Sequence, residues 1–154
     1  MSGLTLLELM VTVLIITVLA GASITLYIGF KDKAKRAAVL RTADAARSEL
    51  HHWLQSSLSQ KTTGRDVDTD FSGSVDMNDS INGALMGNVA SLYIAGRTAA
   101  MQEMSPWFNI PLWNSNEPPL AGTISLVHLS PSRLRLTATE KNGAVLADYI
   151  IAVE

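Results

Sequence analysis

Between Asp66 and Asp79 the chain carries five carboxylates, at Asp66, Asp68, Asp70, Asp76 and Asp79, and no basic residue. Like charges at this density repel one another unless a cation sits among them. Counted as a twelve-residue loop from Asp68, the run places oxygen donors Asp68, Asp70 and Ser72 at positions 1, 3 and 5 and Gly73 at the sharp-turn position 6. The Ser74 carbonyl then falls at position 7, the apolar Val75 at 8, Asp76 at 9 and Asp79 at 12. Counting from Asp66 instead puts Phe71 at the glycine position and Met77 at the end, so that register fails. Hard oxygen donors in this order suit Ca²⁺, with Val75 expected to point inward. The plain alternative is a solvated acidic turn whose carboxylates cap a helix.

A different chemistry attaches to Glu8, the one acid at the head of a run from Leu9 to Phe30 that has 22 consecutive residues without a charge. A carboxylate at the end of a lipid-embedded helix needs a partner or a proton, since it costs about 2.5–3.5 kcal/mol at the helix centre and less toward the interface. Nothing else forms a reactive constellation. His51 and His52 are adjacent on one helix and diverge by about 100°, and His128 stands alone in a strand pattern. No nucleophile elbow, phosphate loop or dinucleotide loop occurs, and the expectation is that the chain is not an enzyme. With no cysteine, disulfides and thiolate metal sites are excluded, and a net charge of -2 does not suit a nucleic-acid binder.

The elements that must position these residues are readable from spacing. The run to Phe30 is long enough to cross a membrane, because about 20 apolar residues at 1.5 Å each span a hydrocarbon layer of about 30 Å. A buried core helix would need covering on all sides, and a cleaved signal peptide has a shorter apolar region of about 7–15 residues. Lys31, Lys33, Lys35 and Arg36 follow, then Val39, Ala43, Ala46, Leu50 and Trp53 recur every three or four residues, with Leu58 five further on. That stripe predicts that the helix continues over 31–61 as an amphipathic half and ends near Lys61–Gly64.

Residues 65–79 form the acidic loop, and 80–104 read as a second helix with Leu85, Val89, Leu92 and Tyr93 on its apolar side. The Pro-rich stretch from Ser105 to Pro119 reads as a loop anchored by Trp107 and Trp113. Thr123–Leu129, Arg133–Glu140 and Ala144–Val153 read as strands, with Leu134, Leu136 and Ala138 facing inward and Asn142-Gly143 predicting a type I′ hairpin turn. The sum is an α+β fold of 154 residues, a long N-terminal helix laid against a small antiparallel sheet over 123–153, in a head spanning 31–154.

Gly3-Leu4-Thr5-Leu6-Leu7-Glu8-Leu9-Met10, followed at once by the apolar run, resembles the N-terminus of type IV pilins and pseudopilins over about 28 residues. The resemblance implies a short leader over 1–3, cleavage after Gly3 by a prepilin peptidase, and methylation of the new amino terminus at Leu4. It implies a filament-core helix over 4–30 in which Glu8 pairs with the amino terminus of a neighbouring subunit. It also implies self-assembly into a helical filament through inner-membrane machinery. The subunit would be single-pass in the inner membrane first and later part of an extracellular pilus or periplasmic pseudopilus. Three features depart from the family pattern. The leader has no Lys or Arg, Leu4 replaces the usual Phe, and Thr17 and Thr25 stand where relatives carry a helix-loosening Gly and Pro. The cations after Phe30 also run against the positive-inside rule for an exported head. The acidic run resembles an EF-hand-type or dockerin-type calcium loop, with Asp68, Asp70, Ser72, Ser74, Asp76 and Asp79 as implied ligands. A membrane-anchored, calcium-dependent adhesin is the reading from another class.

Overall fold

A computed structural model describes residues 5–59, 67–76, 79 and 88–154. The first element, α1, is one helix from Leu6 to Leu58. Its start is set locally: the N–H of Glu8 donates to Thr5 Oγ1 at 3.3 Å, so Thr5 caps the first turn and Glu8 sits where a negative charge opposes the helix dipole favourably. The chain divides into two compact units, Met1–Lys35 and Arg36–Glu154.

In the first unit every residue from Leu6 to Phe30 is exposed, including Leu6 at 77% and Phe30 at 66%. The threonine and serine hydroxyls in this stretch are satisfied within the helix. Thr12 donates to the Leu9 carbonyl at 2.8 Å, Thr17 to Val13 at 2.7 Å and Ser23 to Leu19 at 2.7 Å. Such internal satisfaction is what a helix in hydrocarbon requires, and by length and composition this one is long and apolar enough to cross a membrane.

The second unit is an α+β head. The C-terminal part of α1 buries Val39, Ala43, Ala46, Leu50, Trp53 and Leu54 in one core with Ile124, Leu126, Leu134, Leu136, Ala138 and Ile151 of the sheet. The stripe shifts at its end: Leu54 and Ser57 are buried, whereas Leu58 is only half-buried and the helix stops there, short of the predicted 61–64. Three polar ties fasten this half of α1 to the sheet. Arg36 pairs with Glu140, Tyr149 Oη donates to Asp44 at 2.6 Å, and Arg47 lies 5.1 Å over the Tyr149 ring.

The sheet has the order β1-β2-β3-β4, with β1 Trp113–Asn114, β2 Ile124–Ser130, β3 Arg133–Thr139 and β4 Val145–Ala152. β2, β3 and β4 are antiparallel neighbours as expected, but β1 pairs parallel to β2, so the sheet is mixed. Two residues are too few to show alternation, and the flanking Pro111 and Pro118 make the segment read as loop. The β3–β4 turn also differs from a type I′ turn. Of its two central residues Gly143 alone has positive φ, at 82°, and its N–H donates to the Glu140 carbonyl at 2.8 Å while Glu140 N–H donates to Ala144. This is a three-residue loop with a glycine bulge, and the register slips beside it, between Ala138 and Thr139.

The second helix, α2, spans Val89–Ala99. Residues 80–87 and the predicted apolar Leu85 lie outside the described residues, and 100–104 are not helical, contrary to the predicted 80–104. Gln102 adopts φ 51° and Met104 bridges to Pro111, which ends the helix after the Gly96 carbonyl has accepted the Ala100 N–H. At the other end Asn88 makes no side-chain cap. His128 of β2 substitutes for it, with Nε2 accepting the Ala90 N–H at 3.2 Å and Nδ1 facing the Ser130 carbonyl at 3.2 Å. One tautomer, protonated on Nδ1, satisfies both contacts. His128→Leu is expected to destabilise the head by about 1 kcal/mol, the usual cost of a lost helix cap. Urea unfolding of full-length protein in detergent measures it, and an unchanged midpoint would show that the imidazole does not serve as the cap.

Candidate functional site

Asp68, Asp70 and Asp79 each present a carboxylate oxygen within 4.8 Å of the others. Three carboxylates gathered this closely could hold a hard cation.

The loop closes on itself around these carboxylates. Asp68 Oδ1 accepts the Ser72 N–H at 3.0 Å and its Oδ2 the Gly73 N–H at 2.7 Å, while Asp70 Oδ1 accepts the Ser72 N–H at 3.0 Å. Gly73 takes φ 92°, a left-handed turn that favours glycine. Asp79 is 1% exposed and gathers the loop. Its Oδ1 accepts the Thr69 N–H at 2.6 Å and Oγ1 at 3.0 Å, and its Oδ2 accepts the Asp76 N–H at 2.8 Å. The Asp76 N–H first, and then the Thr69 and Asp70 donors, hold the Asp79 carboxyl below the usual carboxylate range against the opposing effect of burial.

The other three expected ligands make contacts within the loop. Ser72 Oγ donates to the Ser74 carbonyl at 3.0 Å, so the two are joined to each other. Asp76 contributes its backbone N–H to Asp79 and lies outside the group of three carboxylates. Val75 is 47% exposed and does not point inward as expected. Among the described residues the apolar anchors of the loop are Val67, 4% exposed, and Phe71.

Phe71 joins the loop to the head core. It stacks on Trp53 of α1 at 5.8 Å, meets Tyr93 of α2 edge-on at 5.8 Å, and lies under the Arg97 guanidinium at 5.0 Å. Its backbone has φ 57°, a left-handed conformation unusual for an aromatic residue and held here by the packing. Gly96 is the floor of the Phe71 site: a β-carbon there would run into the Phe71 ring and sit 3.2 Å from the Thr69 carbonyl.

Behind Phe71, Arg97 pairs with Glu49 and, at 3.1 Å, with Glu103, and its Nη2 donates to Tyr93 Oη at 2.7 Å. Tyr93 Oη donates to Glu49 at 2.7 Å, and Glu103 also accepts the Trp113 indole N–H. Burial, reinforced by Glu49, pushes the Tyr93 phenol up, so it stays a neutral donor. Sequence reasoning missed this network. Its available signal is that Arg97 is the only Lys or Arg between Arg65 and Arg133, four positions after Tyr93 on a helix.

Glu8 is exposed in the first turn of α1. Gly3 and Leu4 lie outside the described residues. Comparisons of the chain with protein-family models, with curated proteins and with solved structures returned no match.

Proposed function

We propose that this chain is a structural subunit of a type IV pilus or related filament, assembled through the apolar part of α1. The observation that carries the reading is a single helix, Leu6–Leu58, with an unpartnered apolar surface to Phe30, one acid in its first turn, and a C-terminal half built into the core of a small α+β head. An apolar rod exposed on all sides must be covered, first by lipid and then by copies of itself. In that setting Glu8 meets the amino terminus of a neighbour, and a prepilin peptidase and the inner-membrane assembly apparatus are the partners. A minor pilin or a secretion pseudopilin is built on the same plan, and the share of the protein in sheared surface fibres separates these from a major pilin.

The head takes Ca²⁺ at Asp68, Asp70 and Asp79, with the Ser74 carbonyl and water completing the shell. The 4.8 Å gathering of three carboxylates around donors that fold the loop supports this. An anchored, calcium-dependent adhesin shares that site, and differs in leaving the helix unprocessed and the protein monomeric.

The mature chain is expected to begin at Leu4 with a methylated amine. Intact-mass and N-terminal peptide spectrometry of protein from its native membrane measures both at once. A retained Met1, or cleavage near Gly21 or Ala22, would remove the basis of the filament reading.

A further inference from the structure

We infer that Lys31, Lys33 and Lys35 form a belt that holds anionic phospholipid headgroups around α1 where the apolar span ends. The inference rests on the membrane reading of that span and adds a lipid class to it. Lys31 and Lys33 are exposed and Lys35 is half-buried, and all three follow directly on Phe30, the last residue of the uncharged run. At about 100° per residue, Lys31 and Lys35 lie about 40° apart, and Lys33 projects from the opposite side of the helix. Their Cα atoms fall within about 6 Å along the axis, so the charges encircle the rod at one depth. A cationic stripe along one face suits a protein groove; a ring at one depth suits the plane of headgroups that surrounds a lone helix.

The stems of these lysines also match that boundary. Lys33 Nζ lies 6.0 Å from the centre of the Phe30 ring, an aromatic residue of the kind that sits at the edge of the hydrocarbon. Lysine stems extend along apolar surface while the ammonium reaches the polar layer. Asp32 in the same turn reduces the net charge of residues 31–35 to +2, three lysines less one aspartate. Arg36 is not part of the belt, because it is committed to Glu140 in the head. Each net charge near an anionic surface favours binding about fivefold, so the two together predict a preference for anionic over zwitterionic lipid on the order of 25-fold.

Native mass spectrometry of full-length protein in detergent, given equal phosphatidylglycerol and phosphatidylcholine, reads this directly. Wild type is expected to retain phosphatidylglycerol adducts with that preference, weakening as ionic strength rises. The triple variant Lys31→Gln, Lys33→Gln, Lys35→Gln is expected to bind the two lipids equally, while Arg133→Gln, an exposed cation of the sheet, keeps the wild-type preference. Equal binding by wild type, or an unchanged preference in the triple variant, overturns the proposal. So does displacement of bound lipid by inorganic phosphate at about 10 mM, which would make this a general phosphate site rather than a lipid one. Carbonate extraction of cell membranes tests the span separately. Wild type that resists extraction but shows no lipid preference sinks the belt alone, and wild type that is extracted sinks the membrane reading together with it.

Discussion

Asp79→Ala is expected to lower the stability of the head by at least about 2 kcal/mol, because a buried donor left without its acceptor costs about 1–3 kcal/mol and this carboxylate accepts from three backbone N–H groups. Those donors belong to Thr69, Asp70 and Asp76, and the truncated side chain leaves all three without this acceptor in a part-buried setting. Thermal melting of full-length protein in detergent should show a fall of several degrees. Asp79→Asn separates shape from charge. Its oxygen still serves Thr69 and Asp70, while its amide opposes the Asp76 N–H, so an intermediate loss is expected.

The same variants report on metal. With a dissociation constant of about 10⁻⁴–10⁻³ M, Ca²⁺ at about 10 mM should stabilise wild type by roughly 1.4–2.7 kcal/mol through mass action, and Mg²⁺ by less. Asp68→Ala, at a half-buried position, is expected to remove the Ca²⁺ response at little basal cost. An unchanged wild-type melting temperature, together with calorimetry that detects no Ca²⁺ binding, would leave the loop as an acidic turn organised by one buried carboxylate.

The second large effect is expected at Glu8. Glu8→Leu should insert into membrane at least as well as wild type, since it removes a group that is costly in lipid. The helix start survives because Thr5 receives the backbone N–H of residue 8 and not its side chain. Filament yield should nevertheless fall by about tenfold or more, because an amino terminus that loses its carboxylate partner in a dry interior is left as an uncompensated charge. Sheared-fibre yield set against membrane-fraction content measures the two consequences side by side. Normal fibre yield from Glu8→Leu would dismiss the proposed pairing.

What was legible in the sequence follows from which interactions repeat. The stripe at Val39, Ala43, Ala46, Leu50 and Trp53 and the alternation at Leu134, Leu136 and Ala138 recur with the period of their elements, and both lie in the core. The bend at Gly73 was legible for a different reason: a glycine inside a polar, acidic run is where a chain readily takes a positive φ, here 92°. Single events were not legible. The parallel pairing of Trp113–Asn114 depends on a crossover that no local pattern encodes, and the end of α2 is set by Gln102 and by the pull of Arg97 and Trp113 on Glu103. Val75 was misplaced because the donor spacing of a calcium loop carries an assumption about packing that Val67 and Phe71 meet instead.

The seat of Phe71 on Gly96 makes the order of evolutionary change matter. A side chain gained at 96 while Phe71 is present collides with the ring and with the Thr69 carbonyl, whereas a smaller residue gained first at 71 leaves a void beside Trp53 and Tyr93. Overpacking forces backbone movement, while a void at a half-buried site can partly collapse or hydrate. The two positions are thus epistatic, and the passable route to a variant without glycine at 96 begins at 71. Relatives that diverge here should change both columns together, with small residues at 71 accompanying any β-carbon at 96.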